Sequence, residues 1–321
     1  VFEANNTLTG LAVVNTGGVQ AMNVTNLAAT AKDNIVVTTG IAANTTDPAN
    51  TTDLTTTVKG FVSGGTSDSA TVTVNANAAS TAAAESVLNL TFENVDVLNF
   101  VSSGRVATNA NDITVTATDL EKLVVTGNID TEVIVGAGTV GITEVDASGL
   151  VVANGTSAGL TFAQAVGATQ SLLVTGSNGL DTLTVGSARG TVVANGGNDT
   201  ITFNAAAAAL GDQAIVLSAK DFVAGGSLVA TFTNVGNQVI NFSSDIEAKL
   251  VIGGTNLGTT MANQAVGATI NGQNNVAFSG GFLQFDVNGD GAFNAADDLQ
   301  IALTGVNSVT YNAANDYFVV A

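Results

Sequence analysis

Short runs in which Val, Thr and Ile alternate with polar residues, separated by Gly, Asn, Asp or Ser, recur along this 321-residue chain, and only Pro48 interrupts as proline. A period of two sends successive side chains to opposite faces of an extended backbone, whereas a helix needs apolar positions three and four apart. The runs ATVTVN (70–75), DITVTA (112–117), KLVVT (122–126), EVIV (132–135), LLVT (172–175) and VINF (239–242) follow the strand rule. With turn residues this closely spaced, the pattern predicts an all-β protein: a β-solenoid or β-roll segment with flanking β-sandwich-like or β-hairpin domains. Two Ala-rich stretches, 78–87 and 204–210, are the candidates for helix, the second equally readable as a loop. The polar stretch 42–57, which holds Pro48, reads as a surface loop.

Texture divides the chain into three. Residues 1–100 read as a Thr/Asn-rich β domain. From about Leu90 the texture changes, with LTFENVDVLNF, ITVTATDLEKLVVTGNID and TEVIVGAGTVGITEVDASGLVV as successive short units that bury apolar positions only by stacking on one another, and residues 101–205 read as a β-solenoid. Residues 206–321 read as a C-terminal β domain with an Asp-rich loop.

Three nonapeptides in register lie within the middle segment: GSNGLDTLT (176–184), VGSARGTVV (185–193) and ANGGNDTIT (194–202). Against the pattern G-G-x-G-x-D-x-U-x they keep a large aliphatic U residue three times, as Leu183, Val192 and Ile201. The Asp position holds Asp181, Gly190 and Asp199. Asp181 and Asp199 are 18 residues apart, two nonapeptides or one full turn of a β-roll, so both fall on the same edge. Glycines such as Gly176, Gly179 and Gly197 permit the tight curvature that presents carbonyl oxygens there. Stacked carboxylates repel unless a cation lies among them, and a hard cation that takes six to eight oxygens suits such an edge. Gly-Asn-Asp turns occur in any β protein; the register is what singles this segment out for calcium. Gly190 leaves the opposite edge without a matching acid, which predicts few ions.

A second oxygen-rich loop is DVNGDGAFNAAD, 286–297. It sets Asp286, Asn288, Asp290, Asn294 and Asp297 at loop positions one, three, five, nine and twelve, with Gly291 at six and the Ala292 carbonyl at seven. The flanks GFLQF and LQIALTG alternate as strands, so the expectation is a β-hairpin that holds a calcium ion at its tip rather than a helix-loop-helix.

Composition narrows the function. There is no His, Cys or Trp, which removes the commonest general base, thiolate chemistry and thiolate zinc sites. Without His a Ser nucleophile lacks its usual base, and aromatic residues at 5% are too sparse to line a sugar cleft, so no enzymatic activity is expected. Asp and Glu number 26 against 7 Lys and Arg, for a net charge of −19, which disfavours nucleic acid and anionic membranes as partners and favours multivalent cations. No apolar run is long enough for a membrane helix. The first ten residues, VFEANNTLTG, show no export signal, whereas the last seven, NDYFVVA, set an acid before a short apolar run.

The chain resembles the C-terminal part of RTX-type S-layer and S-layer-like proteins of Gram-negative bacteria. The resemblance rests on LEKLVVTGN (120–128), TEVDASG (143–149), the nonapeptides of 176–202, FDVNGDGAFNAADDLQIALTG (285–305) and the terminal 316–320. It implies a secreted cell-surface protein with β-solenoid domains, calcium-dependent folding, export by type I secretion through a C-terminal signal, and a lattice made of copies of itself. Cell-surface polysaccharide fits as a further partner. The nonapeptide glycines are incomplete, so the number of ions departs from the family pattern. Two other readings share this architecture: a secreted adhesin or extracellular filament subunit, and the calcium-binding tail of a secreted hydrolase.

Overall fold

The structure is a computed structural model that describes strand segments only up to residue 92 (2–3, 11–15, 20–21, 24–25, 35–39, 54–59, 69–76 and 86–92), and then 95–104, 111–135, 139, 141–153, 157–165, 168–233, 237–243, 246, 249–252, 254–257 and 263–321. The chain is all-β and contains a β-solenoid of about six turns. It divides into two compact units, 1–153 with 157–164, and 154–156 with 165–321.

In the first unit, Leu11–Asn15, Ile35–Thr39, Ser69–Ala76, Val97–Gly104, Lys122–Gly127 and Glu144–Leu150 form one parallel sheet, each pairing with the next. The alternate strands, Gln20–Ala21, Leu54–Lys59, Ser86–Phe92, Asn111–Ala117, Thr131–Val135 and Ala158–Ala163, form a second parallel sheet. The chain thus passes from one sheet to the other and back on every turn, so each strand pairs with the strand two further on. The same pairing reaches back to Leu11, into a region where the sequence offers only generic strand texture. Residues 54–57, expected in a surface loop, belong to Leu54–Lys59, because β-branched Thr and Val favour extended backbone; 42–53 lie outside the described residues.

In-register parallel stacking makes columns of identical orientation. Leu88, Ile113, Val133 and Phe162 are successive partners and all are at most 2% exposed, while the outward Thr114 and Thr116 stay half-buried. This is why Asn111–Ala117 shows strict alternation: only one face of each coil has an interior to enter. Gly127 marks where coils pass closest, for its φ is +121° and a Cβ there would collide with the Ser102 carbonyl.

In the second unit, Leu172–Thr175, Gly190–Val193, Gln213–Leu217 and Gln238–Phe242 are parallel, and so are Leu180–Val185, Thr200–Phe203, Ser227–Phe232 and Leu299–Thr304. Each sheet then turns antiparallel. Tyr317–Val320 and Val309–Asn312 extend the first, and Phe282–Phe285 and Val276–Ser279 extend the second. The three aliphatic repeat positions, Leu183, Val192 and Ile201, are fully buried. The Ala-rich 204–210 is a loop, and 78–85 lie outside the described residues, with Ser86 and Val87 already in a strand. Where the antiparallel strands close the unit, aromatic rings replace aliphatic columns: Phe318 meets Phe242 edge-on at 5.2 Å and Tyr311 at 5.7 Å, between ring centres. Removing the fully buried Phe318 ring as Phe318→Ala should lower the unfolding free energy by about 3–5 kcal/mol, read from guanidinium titration of the full chain.

Candidate metal centre

The turns 176–179, 194–199 and 218–226 follow equivalent strands of the second unit, and strand register stacks them on one edge. Asp181 and Asp199 come together there as the spacing predicts: the Asp181 N–H donates to Asp199 Oδ1 at 2.9 Å, and each residue is 1% exposed. Asp181 folds back on its own turn, its Oδ2 accepting the Ser177 N–H at 2.7 Å and its Oδ1 the Ser177 hydroxyl at 2.6 Å. The Gly179 N–H donates in turn to Ser177 Oγ at 2.9 Å. The glycines fit for steric reasons. A side chain at Gly176 would strike the Asp181 carboxylate and the Ala194 carbonyl, and one at Gly197, whose φ is +99°, would strike the Gly179 carbonyl. The Gly176 carbonyl itself accepts the Asn195 amide at 2.9 Å.

Asp199 differs from its neighbours. Asn195 stands where Ser177 stands one turn earlier, so no hydroxyl reaches the Asp199 carboxylate, and its Oδ2 is buried with no hydrogen-bond partner. Burial, reinforced by the Asp181 carboxylate, pushes the Asp199 carboxyl up to about 9, against the pull of the Asp181 N–H. A third acid that sequence reasoning missed continues the edge. Asp221, 1% exposed, accepts the Gly196 N–H at 2.8 Å through Oδ1, and the Ser218 N–H at 2.7 Å and hydroxyl at 2.9 Å through Oδ2. Burial raises the Asp221 carboxyl as well, opposed by those N–H donors, the Ser218 hydroxyl and the Lys220 charge. No glycine precedes Asp221 in its turn; the trace it leaves in sequence is a Ser three residues ahead of Asp, much as Ser177 precedes Asp181 by four. Lys220 Nζ donates to Asn195 Oδ1 at 2.7 Å.

The opposite edge is amide-rich. Gly190, Gln213 and Gln238 are successive partners; Gln213 Nε2 donates to the Ser187 and Ala205 carbonyls at 3.0 and 2.8 Å, and Gln238 Nε2 to Gln213 Oε1 at 3.1 Å. Both glutamines are fully buried, and they tie successive turns with uncharged bonds.

The 286–297 loop does sit at the tip of a hairpin, between the antiparallel strands Phe282–Phe285 and Leu299–Thr304. Its oxygens serve the loop's own backbone. Asp286, 8% exposed, takes the Gly289 N–H at 2.6 Å and the Gly291 N–H at 2.9 Å. Asn288 Oδ1 takes the Asp290 N–H and Asp290 Oδ1 the Ala292 N–H, both at 2.9 Å. Asn294 Oδ1 takes the Ala296 N–H at 3.1 Å, and Asp297, exposed, accepts the Asn294 amide at 2.8 Å. Asp286, Asn288, Asp290 and Ala292 thus form one chain of turns, and Asn294 with Asp297 a second. The residue that joins them is the neighbouring Asp298: fully buried, it takes the Val287 N–H at 2.9 Å and the Asn294 N–H at 2.8 Å. Sequence reasoning reached only the first Asp of that pair.

Every donor in both places is oxygen, which suits calcium rather than a transition metal. The stacked edge supplies the observation that favours a cation, an unpartnered carboxylate oxygen beside a second carboxylate. Among the described residues no three His, Cys, Asp or Glu side chains converge as a cage, so an ion would draw on Asp181, Asp199 and backbone carbonyls.

Two outcomes test this geometry. In chelator, the unfolded Asp199 titrates near 4 while the folded one keeps its proton to about 9. Between those limits the folded chain holds the extra proton, so its stability should fall as pH rises and level off above the folded value; Asp199→Asn should flatten that slope in denaturant titrations across pH. Asp298→Ala, which strands two buried N–H groups, should cost about 2–4 kcal/mol without calcium, whereas exposed Asp297→Ala should stay within about 0.5 kcal/mol. No protein-family model matches the chain, and no curated protein matches it.

Proposed function

We propose that this chain is a non-catalytic structural protein of a bacterial cell surface, which calcium stabilises and which assembles with copies of itself into an extracellular layer. The observation that carries the reading is the Asp181–Asp199 edge, where a buried carboxylate oxygen lacks a partner in a chain of net charge −19. Seven Lys and Arg cannot neutralise 26 acids, and a divalent ion at the edge would offset the repulsion between Asp181 and Asp199. Asp181 and Asp199 would hold an ion at the edge; Asp286, Asn288, Asp290, Asn294, Asp297 and the Ala292 carbonyl would hold another at the hairpin tip. Bound there, calcium supplies positive charge and coordination for hard oxygens, so its binding free energy becomes folding free energy.

The resemblance to RTX-type S-layer proteins agrees with a solenoid and extends the reading to type I export. The acidic chain would leave the cell unfolded, where calcium is scarce, and fold outside, where it is plentiful. A coil that buries one face and repeats its edge is suited to a scaffold, and no nucleophile-base pair was found in the sequence to give it chemistry.

The deciding measurement is a calcium titration of protein stripped with EDTA, following far-UV circular dichroism and light scattering together. A rise in β signal and then large particles as calcium increases, with magnesium unable to substitute, is the expected result. Protein already folded in EDTA and monomeric at all calcium levels would refute the reading, and negative-stain images of fibres in place of sheets would move it to a filament subunit.

A further inference from the structure

The described charges of the second unit are unevenly placed. Asp181, Asp199, Asp212, Asp221, Arg189 and Lys220 all lie in turns or at strand ends next to an edge, and Asp286, Asp290, Asp297 and Asp298 lie in the hairpin loop. The outward face of the sheet made by Leu180–Val185, Thr200–Phe203, Ser227–Phe232, Leu299–Thr304 and Phe282–Phe285 bears no charged residue. Thr184, Thr202, Thr231 and Thr304 are successive partners across four strands and form one rank on it. In the neighbouring rank Val229 pairs with Ala302, which pairs with Phe282; Val229 is 38% and Phe282 39% exposed. The first unit is different, since Asp112 stands beside Glu132, and Lys122 beside Glu144, on adjacent strands.

We infer that this uncharged face is the surface through which one copy of the chain packs on another. The inference rests on the self-assembly reading above and names the contact it requires. Two copies at −19 each repel wherever acid-bearing edges approach, so a contact must use surface free of acids. The other sheet of the unit is also uncharged on its outer positions but is already covered in part: Ala214 and Val239 point outward in register with Thr191, yet are 9% and 3% exposed. On the Thr face, the outward residues of all five strands remain half-exposed or exposed. Five strands about 4.8 Å apart, with outward residues about 6.8 Å apart, give a patch of roughly 20 by 20 Å. That is on the order of 400 Å2 per copy, against the roughly 800 Å2 of a lasting pair. A single contact is therefore weak, and repetition across many copies holds the layer together. The geometry specifies concentration-dependent assembly without a stable free dimer.

The test is sedimentation and light scattering of the full chain in calcium, for wild type, Thr202→Glu/Thr231→Glu, and Thr191→Glu on the other sheet, with circular dichroism and calcium affinity as checks that each variant is folded. The double variant should stay folded, bind calcium as wild type does, and raise the concentration needed for assembly by about tenfold or more. Thr191→Glu should assemble as wild type. A folded double variant that assembles normally overturns the inference, as does an equal loss in both variants, which would show charge alone to be responsible. A wild type that binds calcium but never assembles refutes the self-assembly reading itself, a result distinct from both.

Discussion

Register is the constraint on which the rest depends. In a parallel coil, whatever a residue is, its partner one turn on occupies the same place, and like stacks on like. For apolar side chains this is cooperative, because each column is a small continuous core: Val174, Val192, Ile215 and Ile240 are successive partners, and all four are inaccessible to water. For carboxylates it is adverse, since stacking acids concentrates charge of one sign in a place water does not reach. The fold supplies its own stability in the interior and accumulates an electrostatic cost along one edge.

The three turns of that edge handle the cost differently. Asp181 and Asp221 are each met by a serine N–H and hydroxyl, local donors that offset part of the cost of burial. Asp199 has an asparagine at the equivalent place, and that amide is spent on the Gly176 carbonyl. One substitution in a short repeat therefore separates a self-satisfied carboxylate from one open to a ligand. The hairpin tip solves the same problem by winding, with successive side-chain oxygens capping the next N–H groups along the loop.

Much of the fold was legible because period-two alternation maps directly onto a one-sided interior. LLVT was located to the residue, and the aliphatic repeat positions all proved to be core. Reading 54–57 as loop erred because polarity was weighed above strand propensity: Thr is polar in composition yet, being β-branched, a good strand residue. The stacking of Asp181 on Asp199 followed from spacing alone. Asp221 and Asp298 were not legible, since each is buried by a turn of irregular length, and periodic patterns say nothing about which side chain an irregular loop folds over. Asn195 could have been noticed as the departure from Ser177, but its consequence for Asp199 needs the register of two sheets.

The buried glutamines give the second unit a permanent seam. Their bonds are between neutral amides and carbonyls, so neither acid nor chelator weakens them, whereas the edge across the coil carries Asp181, Asp199 and Asp221. A coil stitched with neutral bonds on one side and lined with acids on the other responds unevenly to its surroundings: pH acts on the aspartate edge alone. Register is therefore held on the side that pH does not reach.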